Sequence, residues 1–350
     1  MRLTRRAFLG AAALPLVRGR AATAQSGEAT FKDKTIRVLV GTTPGAGYDM
    51  MARLVAAHLE RKLPGNPRAV VENMPGAASL TMMNHLYTRA ARDGTVMGLP
   101  LNGVVLEPTL KLLSRSGGNV QFDIDRMHWL GTPSEEPQVL WYRADSKIRS
   151  IEDVRTMKSI VGASSTGADN YIVARLTNAL LGGKLEIISG YAGTADVFLA
   201  GDRGEVEGSC TALSAITASR PQWLTEKKVR IVLQYGGERL PELPDVPTAI
   251  EIAPDDETRA MLRFFAVKFK TAYPFVLPPE VAADRVGILR TAFDEVMKDA
   301  EFARDVAKAN MALRPLSGQA TTELIRGTYA VPASTVDKLR AALIPERGGK

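Results

Sequence analysis

The sequence predicts an α/β protein of two lobes, each a mostly parallel sheet flanked by helices. Short apolar runs alternate with amphipathic helical segments, a pattern typical of parallel sheets. The chain has 350 residues, and the roughly 325 that follow a leader segment are enough for two domains. The same strand–loop–helix order starts again after residues 133–137, PSEEP. We therefore expect the chain to cross there into a second lobe.

The first 24 residues, MRLTRRAFLGAAALPLVRGRAATA, have the features of an export signal. Residues 4–9, TRRAFL, resemble the twin-arginine motif, and Ala22-Thr23-Ala24 fits a small-residue cleavage site. The apolar run at 8–17 is too short to span a bilayer. A disordered basic start is the alternative interpretation. We expect a soluble mature protein exported to the periplasm by the twin-arginine route.

Removal of this signal changes the charge balance of the chain. The formal net charge of the whole chain is +7, and the signal holds five Arg and no acidic residue. The mature chain is therefore close to neutral, which gives no case for nucleic-acid binding. No later apolar run reaches membrane-spanning length. We expect no nucleic-acid partner, no membrane insertion and a monomer.

Cysteine and histidine are rare. Cys210 is the one cysteine in the sequence, so no internal disulfide can form. It lies in the segment GEVEGSCTAL, and we expect an inert thiol buried at the end of a strand. His58, His85 and His128 show no ligand spacing, and the first two are expected as surface or satisfied core groups. The sequence predicts no metal site and no cofactor.

In the first lobe, the apolar run at 35–41 predicts a buried strand. Apolar side chains at helical spacing then predict a helix over 48–63, which Pro64 and Gly65 end. The same alternation predicts a strand at 68–72, a helix at 78–90 and a strand at 94–100.

In the second lobe the pattern repeats with strands at 138–143, 159–163, 185–189, 205–210 and 229–234, and helices at 169–181 and 193–200. A final pair of helices, 280–298 and 300–310, is expected to close the chain. These elements assign residues 30–132 and 262–350 to lobe 1 and residues 133–261 to lobe 2.

The loop after the first strand is the main candidate binding element. It consists of Thr43, Pro44, Gly45, Ala46, Gly47, Tyr48 and Asp49. Backbone N–H groups at the start of a helix bind anions, and the glycines let a ligand approach closely. Asp49 is a poor direct contact for an anion, so we expect it to brace the loop, for example by pairing with Arg53. Tyr48 is expected either to cover the ligand or to pack on the next loop.

Three further strand–helix junctions are candidates for the same cleft. They comprise Asn73, Gly76 and Ala77; then Ser164, Ser165, Thr166, Gly167, Ala168 and Asp169; then Tyr191, Gly193 and Thr194. Their amide, hydroxyl and main-chain groups can donate to a carboxylate. As alternatives, the Asn73 segment is only a turn, and the serine and threonine hydroxyls cap helix 169–181.

These segments resemble the substrate-binding proteins of tripartite tricarboxylate transporters, the TctC or Bug family. The resemblance covers nearly the whole mature chain in order, and its best pieces are PGAGYDMMARLVA, VVENMPGAASL, RAARDGTVMGL, GASSTGADNYIVARL, GYAGTADVFLAGDRGEVEGS and LPDVPTAIE. It implies a type II periplasmic-binding clamshell that closes on a small carboxylate, such as a di- or tricarboxylate or an amino acid. It also implies integral membrane transporter subunits as partners and no enzymatic activity.

The chain departs from the family pattern at two places. Ala46 stands between two glycines where consecutive glycines are common, and Asp169 puts a negative charge near the expected anion site. Asp169 either points outward, as acids in a first helical turn do, or meets an ammonium group of the ligand. The second possibility would favour an amino acid or amide over a plain dicarboxylate.

Two other functions stay open at this point. An exported redox enzyme is disfavoured, because Met50 replaces the third glycine of a dinucleotide motif and Thr166 breaks G-x-S-x-G. A solute sensor that docks on a membrane signalling protein would have the same sequence features as a transport receptor.

Overall fold

The computed structural model describes residues 30–115 and 117–343, so the predicted signal at 1–24 lies outside the described residues. The strands are β1 Thr35–Val40, β2 Arg68–Asn73, β3 Val96–Leu99, β4 His128–Thr132, β5 Gln138–Arg143, β6 Ser159–Ala163, β7 Leu185–Ser189, β8 Gly208–Ala212, β9 Val229–Tyr235, β10 Phe275–Leu277 and β11 Leu316–Ser317.

The α-helices are α1 Gly47–Leu59, α2 Leu80–Thr88, α3 Glu107–Leu110, α4 Leu112–Arg115, α5 Ile151–Thr156, α6 Asp169–Leu181, α7 Thr194–Arg203, α8 Leu213–Ser219, α9 Pro221–Thr225, α10 Asp256–Lys270, α11 Ala283–Met297, α12 Ala300–Lys308, α13 Gly318–Gly327 and α14 Ala333–Leu343. Within the described ranges, no helix is long and apolar enough to cross a membrane.

The strands form two sheets, of six and five strands. The first has the order β11-β4-β10-β3-β1-β2, and the second has the order β7-β6-β8-β5-β9. β1 pairs in parallel with β2 and β3, while β10 lies antiparallel between β3 and β4. In the second sheet β6 is parallel to β7 and β8, and β5 is antiparallel to β8 and β9. The two-lobed α/β fold is confirmed, with sheets that are mixed.

Antiparallel strands enter each sheet where the chain passes between the sheets. The chain leaves the first sheet after β4, enters the second at β5, and returns through α10 to β10. The parallel ladders at β1–β3 and β6–β8 carry the loops that the sequence identified. The predicted lobe boundary at 261–262 lies inside the continuous helix α10 and stays a prediction.

The expectation that two helices close the chain after residue 280 is wrong. α13 and α14 follow them, and β11 pairs with β4. Gly318, Gly327 and Pro332 interrupt the helical pattern in this region, which hides both helices from a periodicity argument. A usable signal was Ser317, whose Oγ accepts a hydrogen bond from the Ala320 N–H and caps α13.

Large aromatic side chains fill the core on both sides. Phe275 packs on Phe293 in the first lobe, while Trp141, Phe198 and Trp223 form a cluster of tilted and edge-to-face rings in the second. Cys210 lies inside β8 rather than at its end, and burial raises the pKa of its thiol, as expected of an inert group. These two cores support the loops that carry the candidate site.

Candidate functional site

The loop after β1 is held by the carboxylate of Asp49. This side chain is 3% exposed and accepts hydrogen bonds from Gly45 N at 2.8 Å, Arg53 Nε at 3.0 Å and Asn73 Nδ2 at 2.9 Å. Burial alone would raise the pKa of Asp49, but the hydrogen bonds from Arg53, Gly45 and Asn73 hold it below the usual value. We call Asp49, Gly45, Arg53 and Asn73 the Asp49 brace. The predicted pairing of Asp49 with Arg53 is confirmed.

The brace corrects one detail of the predicted anion cradle. The Gly45 N–H already donates to Asp49, so it is not a free donor for a ligand. Gly47 and Tyr48 begin α1, and N–H groups in the first turn of a helix have no helical acceptor. Ala46, the residue before α1, offers no side-chain cap. The donors left for a ligand are therefore those of the helix start.

The second loop lies against the end of β1 in an unusual conformation. Ala77, Ala78 and Ser79 have φ values of 44°, 53° and 74°, which place three consecutive non-glycine residues in the left-handed region. The buried Ser79 Oγ donates to Gly41 O at 3.1 Å and accepts from Leu101 N at 2.9 Å. Strain of this kind persists where surrounding contacts over-determine it, and it is common at ligand sites.

Tyr48 connects the first loop to the interior between the sheets. Its ring lies 4.9 Å from the ring of Tyr273, and its hydroxyl accepts from Asn102 N at 3.2 Å. Tyr273 donates to Glu136 Oε1 at 3.2 Å, and burial raises the pKa of Glu136 although Ser214 and Tyr273 donate to it. Tyr48 therefore packs on a tyrosine from the segment before β10 rather than on the next loop.

The second-lobe loop, residues 164–168, is held at its base by an amide. Asn170 Oδ1 accepts from Ser164 N at 3.1 Å and from Ser164 Oγ at 3.2 Å. Helix α6 begins after Ala168 with no side-chain cap, so the alternative in which hydroxyls cap this helix is wrong. Ser165, Thr166 and Gly167 are exposed. The reason is local: the side chain of Asn170, in the first turn of α6, accepts hydrogen bonds from both the N–H and the hydroxyl of Ser164, so this hydroxyl does not cap the helix.

A buried lysine meets this loop. Lys268 Nζ, from α10, lies 2.5 Å from Asp169 Oδ1, with 9% of the lysine side chain exposed. The ammonium also lies 5.3 Å and 5.4 Å from the ring centres of Phe265 and Phe269, which is a cation–π distance. The partly exposed Asp169 is therefore not unpaired, because a lysine ammonium of this chain already forms an ion pair with it.

Lys268 and Asp169 line a cavity of about 500 Å³ where loops from both lobes meet. We call it the Lys268 cavity. Its polar or small lining residues are Ala78, Asn102, Gly103, Glu107, Gly167, Asp169 and Lys268, and the rest are apolar. Asn102 joins it to the first loop, since its backbone N–H donates to Tyr48 and its side chain donates to Lys268 O at 3.0 Å.

The structure groups the predicted site residues unequally. Gly167 and Asp169 line the Lys268 cavity, and Tyr48 adjoins it through Asn102. Thr43, Pro44, Gly45, Gly76 and Ala77 lie on the loops outside the cavity, and Tyr191, Gly193 and Thr194 do not line it either. Their ligand-binding roles stay predictions.

Sequence reasoning missed Asn102, Glu136, Lys268 and Tyr273. The one available signal was Lys268 itself, a cation inside the apolar run RFFAVKF of an amphipathic helix. A charge at such a position is expensive without a partner, so it indicates either an ion pair or a ligand.

A possible ligand set for a metal lies outside this cavity. Ligand atoms of His58, Asp299 and Glu301 lie within 4.8 Å of one another. Asp299 pairs with Lys62 and Glu301 with Arg61, each at 2.8 Å, while the buried His58 Nε2 lies 3.1 Å from Asp305. Each group thus has a partner within the chain, and the contact with Asp305 confirms His58 as a satisfied group. The expectation of no metal site stays a prediction.

Comparisons with known proteins agree with this architecture. The model of the tripartite tricarboxylate transporter family receptor, TctC, matches residues 51–340. A UPF0065 protein of Bordetella pertussis is 27% identical over 230 residues, covering 64% of this chain and 67% of that protein.

Two solved structures share the fold. A TctC solute-binding protein from Polaromonas has a TM-score of 0.66 and 17% identity, covering 87% of this chain and 98% of that one. MatC from Rhodopseudomonas palustris, solved with bound malate, has a TM-score of 0.56 and 18% identity, covering 89% of this chain and 99% of that one. The family match spans most of the chain, so this protein belongs to the tripartite tricarboxylate transporter receptor family of solute-binding proteins.

Proposed function

We propose that this chain captures a small carboxylate between its lobes, in the periplasm, and delivers it to the integral membrane subunits of a tripartite tricarboxylate-type transporter. The observation that carries the proposal is the Lys268 cavity. There a buried ammonium, from the helix by which the chain returns to the first sheet, meets the second-lobe loop. MatC, which shares the fold, binds malate and supports a carboxylate ligand.

Capture follows from the geometry of the loops. A carboxylate that leaves water must regain strong hydrogen bonds, which Lys268 and the uncapped starts of α1 and α6 can supply. The helix dipoles at these starts favour the same charge. Binding contacts from both lobes would shift the population toward a closed form that a membrane partner recognises. Catalysis is not part of this proposal, because the family is one of receptors.

The direct test is binding by the exported protein. Malate, succinate, citrate, amino acids and aromatic acids are titrated by calorimetry and by thermal melting, with dimethyl malate as the uncharged control. Saturation at a hundredfold excess over Kd adds about 2.7 kcal/mol of stability by mass action. The proposal fails if no acid raises the melting temperature. Recovery of the ligand unchanged after incubation separates a receptor from an enzyme.

Delivery and export need separate tests. Uptake of a labelled acid that binds should disappear when the genes for the membrane subunits are deleted. Continued uptake would instead favour a sensor role for this chain. Replacement of Arg5 and Arg6 by Lys should retain the protein in the cytoplasm if the twin-arginine route is used, whereas an unchanged periplasmic yield would exclude that route.

A further inference from the structure

The Lys268 cavity has a wall that a compact dicarboxylate would leave uncovered. Leu101, Val104, Leu110, Leu113, Ile172 and Phe265 are among the side chains that line it. Pockets lined mainly by apolar groups, with a few fixed polar groups, bind ligands that carry an apolar body and a polar head. The volume of about 500 Å³ holds such a ligand.

The polar groups of the cavity are paired in a specific way. Lys268 and Asp169 form one ion pair at 2.5 Å, so together they contribute no net charge. Glu107 also lines the cavity, but its carboxylate accepts from Leu113 N at 2.8 Å, Ser114 N at 2.9 Å and Ser114 Oγ at 2.6 Å. The head of a ligand therefore meets one cation and one anion side by side.

This pairing restricts the charge of the ligand. Lys268 and Asp169 can each bind one further group without losing each other, because an ammonium has three donors and a carboxylate has two acceptor oxygens. A ligand carboxylate alone on Lys268 then adds an uncompensated negative charge beside Asp169, which is costly near the interior. An amine alone on Asp169 adds an uncompensated positive charge beside Lys268. A zwitterion supplies both partners at once and keeps the cavity neutral.

We propose that the ligand is an α-amino acid with an apolar side chain. Its carboxylate binds Lys268, its ammonium binds Asp169, and its side chain lies against Leu101, Ile172 and Phe265. This inference rests on the proposed capture of a carboxylate and names the class of acid. Lys268 and Asp169 are then the residues that determine specificity.

Calorimetry on the exported protein tests the inference with matched ligands. L-Leucine and L-phenylalanine are compared with 4-methylpentanoate and 3-phenylpropanoate, which lack the ammonium, and with isopentylamine and 2-phenylethylamine, which lack the carboxylate. Each truncated ligand should bind at least tenfold more weakly than its parent. Equal binding of the truncated acids would overturn the inference.

Substitutions test which residue binds the ammonium of the ligand and which binds its carboxylate. Asp169→Asn should weaken L-leucine binding at least tenfold and should remove its advantage over 4-methylpentanoate. Lys268→Met combined with Asp169→Asn should abolish binding of both while keeping the cavity neutral. Arg61→Gln, which breaks an exposed ion pair with Glu301, should change neither. Melting curves without ligand establish that each variant is folded. If a variant is not folded, the comparison of the matched ligands on the wild-type protein still tests the inference.

Failure of the inference is distinguishable from failure of the proposed function. Binding of malate or citrate, without binding of leucine or phenylalanine, overturns the amino-acid assignment and leaves capture of a carboxylate intact. Binding of none of these acids overturns both.

Discussion

The first loop and the second-lobe loop look alike in sequence and differ in how their acids are used. Asp49 is the third residue of α1, and its carboxylate turns back to the Gly45 N–H of its own loop. Asp169 is the first residue of α6, and it reaches Lys268 on another helix, 99 positions along the chain. A carboxylate at the third position of a helix can fold back on the residues before it, as in a capping box, whereas one at the first position points away.

The difference assigns different tasks to the two loops. The groups of the Asp49 brace all lie in the first lobe and hydrogen-bond to one another. The buried carboxylate of Asp49 is therefore already paired. The Asp169 carboxylate is 31% exposed and lies at the cavity, where a ligand can compete for its partner. We therefore expect first-loop substitutions to act on stability and Asp169 substitutions to act on specificity.

The largest expected effect is that of Asp49→Ala. The change removes the acceptor that Gly45 N–H, Asn73 and Arg53 share, although Asn73 keeps its hydrogen bond to Thr42 O, so the free energy of unfolding should fall by about 3 kcal/mol. Urea denaturation measures it. Asp169→Asn combined with Lys268→Met, which removes both charges of the buried pair together, should cost less than half as much. Equal losses would contradict the contrast between the loops.

The pH dependence of stability should identify the same carboxylate. The pKa of Asp49 is lowered in the folded state, so its ionised form stabilises the fold above the unfolded pKa of about 3.9. That contribution is lost as pH falls through the lower, folded pKa. The difference in unfolding free energy between wild type and Asp49→Asn should hold from about pH 7 to about pH 5 and shrink by about pH 3.

A variant without a titrating group serves as the control for this experiment. Asn170→Ala should differ from wild type by the same amount at each pH. If the Asp49→Asn difference were also constant over the whole acid range, the brace would not depend on the charge of Asp49.

A smaller effect is expected at the base of the second-lobe loop. Asn170→Ala removes the acceptor of Ser164 N and Ser164 Oγ, which should lower the free energy of unfolding by about 1.5 kcal/mol. Denaturation at neutral pH gives the value. A cost as large as that of Asp49→Ala would show that the second-lobe loop is braced as firmly as the first.

The smallest expected effect has the opposite sign. Ala78 has φ 53° and ψ 45°, so Ala78→Gly relieves a left-handed alanine and should raise stability by about 0.5 kcal/mol after the entropic cost of glycine. Thermal melting detects the shift. Ala57→Gly, at an exposed position within α1, should instead destabilise by about 1 kcal/mol, and equal destabilisation at residue 78 would refute the strain argument.

Local features of the sequence determined a large part of this protein. The strand–loop–helix order at 35–59 and 159–181 follows from apolar periodicity, and the Asp49–Arg53 pair follows from i, i+4 spacing. Both signals lie within a short stretch of chain, so they can be read without knowing the fold. The ordered motifs also indicated the family, which the family match confirms.

Only the tertiary structure decided which distant groups meet. Residues far apart in the chain are joined by the order of strands in each sheet, the antiparallel insertion of β10, the packing of Tyr48 against Tyr273 and the pairing of Asp169 with Lys268. Periodicity reports which face of an element is buried and carries no information about its neighbour. Lys268 shows this: the sequence marks it as a cation in an apolar helix, and only folding shows that its partner is Asp169, at the start of α6.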